Sequence, residues 1–270
     1  MKRLSFLVLV ILVGLGAYFL APLRSNILIM GIDRPPAGTA VSRTDTLILM
    51  TVAPLKPYVG MLSIPRDLWV KIPGVGENRI NTAHFFAEAN QAGSGPAAAA
   101  QTITADFGVP VDYTVRIRFD GIQEVVDAMG GVDIDLPKAT ALLPAGRHHL
   151  DGAQALAFVR DRKNADDFFR MEHGQLFIKA LFRQMFSPSV WLRLPATVVA
   201  ILRSVDTTLP AWLWPRIGMA ILRAGPAGID SRTVTREMVK PFTTSAGAQV
   251  LLPVWDRINP VVDEIFRQKS

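Results

Sequence analysis

Three short apolar segments constrain the fold of this chain most strongly. They are residues 26–31, 46–52 and 58–64, and each has the length and composition of a buried strand. Pro54 and Pro65 follow the second and third segments, where proline ends a ladder because it cannot donate a hydrogen bond. If the middle strand runs opposite to its neighbours, the end of the first, the start of the second and the end of the third meet at one sheet edge.

Charged residues stand at this expected edge. Asp33 follows the first segment, Arg43 and Asp45 precede the second, and Arg66 and Asp67 follow the third. Carboxylate oxygens suit Mg²⁺, and planar guanidinium groups hold phosphate oxygens in pairs. This pattern predicts one site that binds a phosphate-rich ligand together with a divalent cation. Asp67 either orients Arg66 or caps the next turn, and both interpretations stay open.

The remaining chain alternates between strand and helix signals. The pattern predicts strands at 111–119 and 132–136, with Asp133 and Asp135 on a solvated face, and helices from Asn81, at 96–107, 121–129, 150–159 and 166–186. From Pro188 onward it predicts two or three helices and a final one at 260–267. Such alternation favours one α/β domain with a central sheet.

The amino-terminal sequence predicts a membrane anchor. Residues 4–21 carry no charge, and eighteen helical residues reach about 27 Å, close to the apolar thickness of a bilayer. Lys2 and Arg3 would keep residues 1–3 in the cytoplasm, which places a catalytic domain at 22–270 outside the cell membrane. A signal peptide cleaved after Ala21 is an alternative, although Phe19 would stand where a small residue is preferred. A buried core helix is another.

Composition excludes several classes of function. The chain has no cysteine, so disulfides, thiol nucleophiles and cysteine-based zinc sites are excluded. A net charge of +6 and a pI near 9.9 often indicate nucleic-acid binding, but an extracytoplasmic location argues against that partner. The sequence contains no His-Glu-x-x-His, no P-loop and no Gly-x-Ser-x-Gly, which argues against zinc proteases, ATP-driven enzymes and serine hydrolases.

With these residues placed, the chain resembles the LytR-CpsA-Psr family of cell-wall glycopolymer ligases from about residue 26 to its end. The matching motifs are Ile29-Met-Gly-Ile-Asp-Arg34, Ser42-Arg-Thr-Asp-Thr-Leu47, Leu62-Ser-Ile-Pro-Arg-Asp67, Arg79-Ile-Asn81, Val126-Asp-Ala-Met-Gly-Gly-Val132, His149-Leu-Asp-Gly-Ala-Gln-Ala-Leu156, Phe158-Val-Arg-Asp-Arg162 and Asp167-Phe-Phe-Arg170. Each motif is weak alone, and their shared order makes the resemblance specific.

The resemblance implies a fold and a function. The fold is a three-layer α/β/α domain with a central mixed sheet behind one amino-terminal transmembrane helix. The function is transfer of a glycopolymer from a polyprenyl-pyrophosphate carrier to a sugar hydroxyl of peptidoglycan, with Mg²⁺, or alternatively Mn²⁺, as the cofactor. Two other functions stay open, namely hydrolysis of the polyprenyl pyrophosphate by water and a non-catalytic role as an envelope regulator or lipid-binding scaffold.

The resemblance also assigns roles to residues. Asp33 and Asp45 match the metal ligands and count among the catalytic residues with Arg66, Arg162 and Arg170. The residues expected to bind the pyrophosphate are Arg43, Arg66, Arg160, Arg162, Arg170 and Gln175. Arg79 and Asn81 line the acceptor side or, for Asn81, cap a helix. No general base can be identified.

The chain departs from the family pattern at two places. The family continues Arg-x-x-Arg-Gln after the arginine that Arg170 matches, whereas His173 and Gly174 stand at the second arginine and the glutamine here. Asp33 is followed directly by Arg34, without the spacer residue that many members have. The first change removes a permanent charge from the expected site.

Overall fold

The structure of the chain is a computed structural model. The structure describes residues 2–20, 24–33, 41–55, 57–161, 167–184, 186–225 and 228–268. The helices within these residues are α1 (Lys2–Leu20), α2 (Thr82–Asn90), α3 (Gly95–Phe107), α4 (Phe119–Met129), α5 (Gly152–Val159), α6 (Asp167–Gln184), α7 (Pro188–Trp191), α8 (Leu194–Ser204), α9 (Trp214–Ala224) and α10 (Trp255–Asp263). Two 3₁₀ turns, Ala211–Leu213 and Arg236–Met238, and a π turn, Glu264–Gln268, complete the helical elements.

Six strands form one central mixed sheet in the order β10-β3-β2-β1-β6-β9. The strands of the described residues are β1 (Ser25–Ile32), β2 (Thr44–Ala53), β3 (Tyr58–Ile64), β4 (Trp69–Ile72), β5 (Gly76–Arg79), β6 (Tyr113–Arg118), β7 (Val132–Leu136), β8 (Gly146–Leu150), β9 (Val205–Thr207), β10 (Ile229–Thr233), β11 (Val239–Thr243) and β12 (Gln249–Pro253). β2 runs antiparallel to β1 and β3, while β6 is parallel to β1 and β10 is parallel to β3.

Helices cover both faces of the sheet. On one face Leu28 and Leu49 pack in a core with α3 and α10, and on the other Ile48 and Met61 pack with α9 and part of α6. The strands alternate between these two cores because successive side chains point to opposite faces. The predicted α/β domain with a central mixed sheet is confirmed.

A third core lies beside the sheet. Phe119 and Val126 of α4 pack there against the β7–β8 hairpin, α5 and α6. Asp133 of β7 is exposed, as the alternation predicts, and pairs with His149 at 2.6 Å. Asp151 caps α5 through a capping box with Gln154.

Several elements differ from the sequence predictions. The final helix begins at Trp255 and contains Pro260, whereas it was expected to start at that proline. The short strands β9 to β12 were not predicted in the region after Pro188, which was expected to be helical. Their sequences are short and partly polar, and each forms because a partner strand is available in the folded chain.

The amino-terminal segment is helical over Lys2–Leu20, as expected. Among the residues that the structure describes, no helix combines the length and the apolar character needed to cross a membrane. The transmembrane anchor predicted at residues 4–21 therefore has no support from the structure.

Candidate functional site

The strand order brings the predicted motifs to one edge of the sheet. Ile32 at the end of β1 pairs with Thr44 at the start of β2, and Leu47 of β2 pairs with Ile64 at the end of β3. Asp33, Asp45 and the turn after β3 therefore share this edge. The expected antiparallel arrangement of the three strands is confirmed.

Two arginine–aspartate pairs stand side by side at this edge. Arg160, which follows α5, donates to Asp33 at 2.6 Å, and Arg66 donates to Asp45 at 2.5 Å. Their side chains are about a quarter exposed, so the pairs are reachable by a ligand yet partly shielded from water. Partial burial strengthens charge interactions compared with those on an open surface.

Asp67 forms ion pairs with both Arg66 and Arg79. Its carboxylate lies 3.6 Å from Nε of Arg66 and 3.2 Å from Nε of Arg79. Arg79 also donates to the backbone carbonyl of Gln249 at 2.7 Å. These contacts favour the interpretation that Asp67 orients Arg66.

Asn81 lies directly behind this turn. Its backbone N–H donates to the carbonyl of Arg66 at 3.2 Å, and its side chain is 4% exposed. Asn81 holds the position before α2 but makes no side-chain capping bond, so the capping interpretation is wrong. Its Oδ1 is buried without a hydrogen-bond partner among the described residues.

Arg43 lies on the outer side of the cluster. Its side chain is exposed, and its guanidinium carbon lies 5.5 Å from the centre of the Phe85 ring of α2. This distance is within the range of a cation–π contact. Arg34 and Arg162 lie outside the described residues, so the role of Arg162 stays a prediction.

The start of α6 approaches the same edge. A Cβ built on Gly174 would lie 3.9 Å from the Thr46 methyl group of β2, so the helix crosses the sheet one residue from Asp45. Arg170, one turn earlier, is half-buried. The role expected for Arg170 in binding pyrophosphate stays a prediction.

His173 packs between two phenylalanine rings. The centre of its ring lies 4.6 Å from that of Phe158 and 3.9 Å from that of Phe169. Burial lowers the pKa of His173, and the charge of Asp161 opposes that effect in part. The imidazole is therefore neutral at pH 7. The family's second arginine is thus replaced here by an uncharged, packed ring.

Gln175 binds the edge strand β10. Its Oε1 accepts from the Ser231 hydroxyl at 2.7 Å, and its Nε2 donates to the backbone carbonyl of Arg232. This placement favours a role in joining α6 to the sheet over the expected contact with pyrophosphate.

A second charged cluster flanks Asp33 and was not found from the sequence. Arg116 of β6 lies 3.1 Å from Glu88 and 2.5 Å from Asp206, and its Nη1 is 3.3 Å from Nε2 of His84. Burial and then the charge of Arg116 lower the pKa of His84. The alternation of residues 111–119 could have indicated this charged cluster from the sequence, because it puts Arg116 and Arg118 on one face of a strand.

This cluster lines a cavity of about 500 Å³. Its wall includes Asp33, Ser42, Arg118, Arg203 and Asp206. The Ser42 hydroxyl donates to the backbone carbonyl of Asp33 at 2.7 Å, which ties the residues before β2 to the end of β1. The cavity therefore opens beside the arginine–aspartate pairs.

The sheet and its edge define an α/β protein with an arginine–carboxylate site at its strand ends. The sequence profile of the LytR_cpsA_psr family matches residues 23–258, which is most of the chain. The chain belongs to the LytR_cpsA_psr family.

Individual relatives agree with this assignment. The chain is 34% identical over 168 residues to the polyisoprenyl-teichoic acid–peptidoglycan teichoic acid transferase TagU of Oceanobacillus iheyensis, a match that covers 60% of this chain and 52% of that protein. It is 28% identical over 220 residues to the regulatory protein MsrR of Staphylococcus aureus, which covers 78% of this chain and 64% of that protein. The chain thus spans about half the length of TagU.

Solved structures share the fold. The Bacillus subtilis TagV structure superimposes with a TM-score of 0.73 at 23% identity, over 91% of this chain and 98% of that one. The structure of TagT bound to LIIa-WTA gives a TM-score of 0.70 at 22% identity, over 90% of this chain and 91% of that one. Both similarities concern the fold.

Proposed function

We propose that the protein is a Mg²⁺-dependent phosphotransferase that moves a glycopolymer from a polyprenyl-pyrophosphate carrier to a sugar hydroxyl of peptidoglycan. The observation that carries this proposal is the adjacency of the Arg160–Asp33 and Arg66–Asp45 pairs at one sheet edge. Membership of the family supports it, as does the name of TagU, which describes a transferase between a polyisoprenyl carrier and peptidoglycan.

The reaction is a displacement at phosphorus. The acceptor hydroxyl oxygen forms a bond to the phosphorus that carries the glycopolymer and releases its proton to solvent. The bond from this phosphorus to the bridging oxygen breaks, and that oxygen keeps the electron pair. A phosphodiester forms and polyprenyl phosphate leaves. Such a reaction needs positioning and charge neutralisation more than covalent help from the protein. The side chains proposed to neutralise the pyrophosphate are those of Arg43, Arg66, Arg160, Arg162 and Arg170.

Asp33 and Asp45 are the residues that would hold Mg²⁺. They lie at adjacent ends of two neighbouring strands, Asp33 directly after β1 and Asp45 near the start of β2. Oxygen donors of this type suit Mg²⁺, which binds with one or two carboxylates and completes its shell with substrate phosphates and water. No group of three or more carboxylate or imidazole side chains is arranged as a metal site in the part of the chain described. When bound, Mg²⁺ would neutralise charge on the pyrophosphate.

The cavity beside Asp33 supports transfer over hydrolysis. Its volume of about 500 Å³ is in the range of small-molecule sites and far exceeds what one water molecule needs. Arg118 and Arg203 add hydrogen-bond donors to its wall. We assign the acceptor sugar to this cavity. Hydrolysis by water is the competing outcome of the assay below.

The proposal includes a location. Peptidoglycan lies outside the cytoplasmic membrane, so the catalytic domain would act on that side, with the amino terminus in the cytoplasm. A reporter fused to the carboxy terminus tests this topology. A cytoplasmic carboxy terminus would contradict it and favour a regulatory function, which the name of the relative MsrR suggests as the second candidate.

An assay with defined substrates tests the activity. The purified chain is incubated with a lipid-linked oligosaccharide, Mg²⁺ and uncrosslinked glycan strands, and products are resolved by mass spectrometry. The proposal predicts a phosphodiester-linked saccharide on the glycan, lost with EDTA and restored by Mg²⁺. Free phosphorylated saccharide without a glycan-linked product would contradict transfer. No turnover of the donor under any condition would contradict an enzymatic function.

A further inference from the structure

Helix α8 packs with its polarity reversed. A surface helix normally buries a stripe of large apolar side chains and exposes polar ones. In α8 the buried side chains are those of Thr197, Ala200 and Ser204, which are small or polar. Large apolar side chains of the same helix face solvent instead.

The exposed stripe follows helical spacing. Leu194, Val198 and Leu202 stand four residues apart and are 44%, 39% and 59% exposed, and Val199 beside them is 46% exposed. Residues four apart share one face of a helix. Leu192, directly before the helix, is 89% exposed. These five exposed apolar side chains are called the α8 face.

Close packing against α4 explains the reversal. A Cβ on Gly121 of α4 would lie 2.4 Å from Cβ of Ser204, so the two helices approach where both residues are small. The small stripe of α8 is therefore its inner surface. The large apolar side chains have no place in the core and remain available to bind something else.

A tryptophan and two arginines accompany the α8 face. Trp191 directly precedes Leu192 and is 59% exposed, and tryptophan prefers the interface between lipid and water. Arg193 and Arg203 stand at the two ends of the helix and are exposed, while residues 187–204 contain no acidic side chain. This charge complements an anionic lipid surface.

The chain segment that follows α8 contacts α1, and α8 itself lines the cavity. The Tyr18 hydroxyl of α1 donates to the backbone carbonyl of Trp212, and α1 exposes apolar side chains such as Phe6 and Leu9. Arg203, at the end of α8, lines the cavity that reaches Asp33. A surface bound to the α8 face would lie close to the entrance of the site.

We propose that the α8 face docks onto the surface of an anionic lipid bilayer. The apolar side chains would enter the boundary between headgroups and acyl chains, as they do for interfacial amphipathic helices, and Arg193 would contact the headgroups. Docking would bring the site to the bilayer where the donor of the proposed transfer lies. This inference rests on the proposed function for one point, namely that the donor is a lipid whose pyrophosphate lies at the bilayer surface.

Site-specific fluorescence tests the docking. The chain has no cysteine, so Val198→Cys and Leu202→Cys each accept a single environment-sensitive dye. Val75→Cys is the matched control, since Val75 is 47% exposed in the turn between β4 and β5. The full chain is reconstituted into phosphatidylglycerol–phosphatidylcholine vesicles without polyprenyl lipid. We expect the dye at 198 and 202 to be quenched by iodide about five-fold less than at 75.

The alternatives give different results. Equal quenching at all three positions in vesicles overturns the proposal. Protection that appears in detergent and grows with protein concentration assigns the α8 face to a second copy of the chain, and also overturns it. Protection that appears only after polyprenyl phosphate is added in detergent assigns the α8 face to the substrate tail. That result also overturns the proposal.

A double variant separates docking from catalysis. Val198→Glu with Leu202→Glu should abolish protection of a dye at Leu194→Cys in vesicles, while circular dichroism stays unchanged. Transfer from a short-chain, detergent-soluble donor should stay at the wild-type rate, and transfer from a vesicle-bound donor should fall about ten-fold. The dye readout requires no turnover. A chain that docks but does not transfer saccharide from either donor would contradict the proposed function and leave the docking proposal valid.

Discussion

Arg160 donates a 2.6 Å hydrogen bond to Asp33, although the two residues are 127 positions apart in the chain. The contact brings the turn after α5 against the end of β1, next to the pair formed by Asp45 of β2 and Arg66 of the turn after β3. A guanidinium group carries five N–H donors in a planar fork, a geometry that suits oxygen anions. Each pair places such a group against a carboxylate where the central strands begin or end.

Replacement of Asp33 tests the role of the edge carboxylates. Asp33→Asn removes a proposed Mg²⁺ ligand and the charge that orients Arg160, so we expect kcat for transfer to fall about 100-fold or more. The free energy of unfolding should change by less than about 1 kcal/mol, because the pair is partly exposed. Asp133→Asn is the control, since Asp133 lies on the exposed face of β7. Near-normal activity of Asp33→Asn would remove this carboxylate from the mechanism.

Replacement of Arg66 by lysine tests whether guanidinium geometry matters. Arg66 contacts Asp45 at 2.5 Å and Asp67 at 3.6 Å, and a lysine ammonium cannot reproduce a planar fork. We expect Arg66→Lys to lower kcat about ten-fold or more while keeping the net charge. Arg267→Lys, in an exposed pair with Asp263, should leave kcat unchanged. A lysine variant as active as the wild type would reduce Arg66 to a point charge.

The stability of the protein should depend on the charge of Asp106. This carboxyl group is half-buried in α3, its Oδ2 has no hydrogen-bond partner among the described residues, and burial raises its pKa from 3.8 to about 6. The folded state therefore binds the proton more tightly than the unfolded state. The free energy of unfolding falls as pH rises from about 4 to 6, and the loss is complete above pH 6.

Asp106→Asn removes this penalty. At pH 8 the variant should be more stable by about 1–2 kcal/mol, a value reduced for solvent screening of a half-exposed group, and near pH 4 the difference should vanish. Urea unfolding at the two pH values measures the effect. Asp135→Asn, at an exposed position of β7, provides the control. An equal gain at both pH values would mean that charge is not the cause.

Gly31→Ala tests how tightly the end of β1 is packed. A Cβ at this position would lie 2.6 Å from Cε1 of Phe119 and 3.1 Å from Cβ of Thr46. We expect a loss of about 1–3 kcal/mol in the free energy of unfolding, because the phenylalanine ring must move. Activity should also fall, since Asp33 follows two residues later. Thermal or urea unfolding measures the stability.

Gly218→Ala is the matched control for that experiment. Nothing lies within 4 Å of a Cβ at Gly218 in α9, so alanine should stabilise the helix by about 0.5–1 kcal/mol. If both variants were equally stable, steric contact with Phe119 would not explain the glycine at position 31.

The sequence predicted the parts of the fold that local pattern determines. The strands 26–31, 46–52 and 58–64 were recognisable because they are apolar and bounded by glycine or proline, and they match β1, β2 and β3 closely. The helices α3, α4 and α5 carry equally local start and stop signals, such as the left-handed Gly108 and Gly130 that follow α3 and α4.

Strands formed mainly by pairing were missed. β9, Val205–Thr207, and β10, Ile229–Thr233, are short and lack buried residues. They exist because β6 and β3 offer them a free edge. The contacts of Gln175 could not be predicted from the sequence for the same reason, because its partners on β10 are more than fifty positions away.

By itself, the amino-acid sequence determined the family, through the order of its motifs, and it determined the three central strands with Asp33, Asp45 and Arg66 at their ends, because motifs and strand pattern are local properties. Only the tertiary structure decided which arginine binds which aspartate, which residues surround the cavity with Arg116, and which side of α8 faces outward. These outcomes depend on packing between elements that are distant in the chain, and no local pattern encodes such distances.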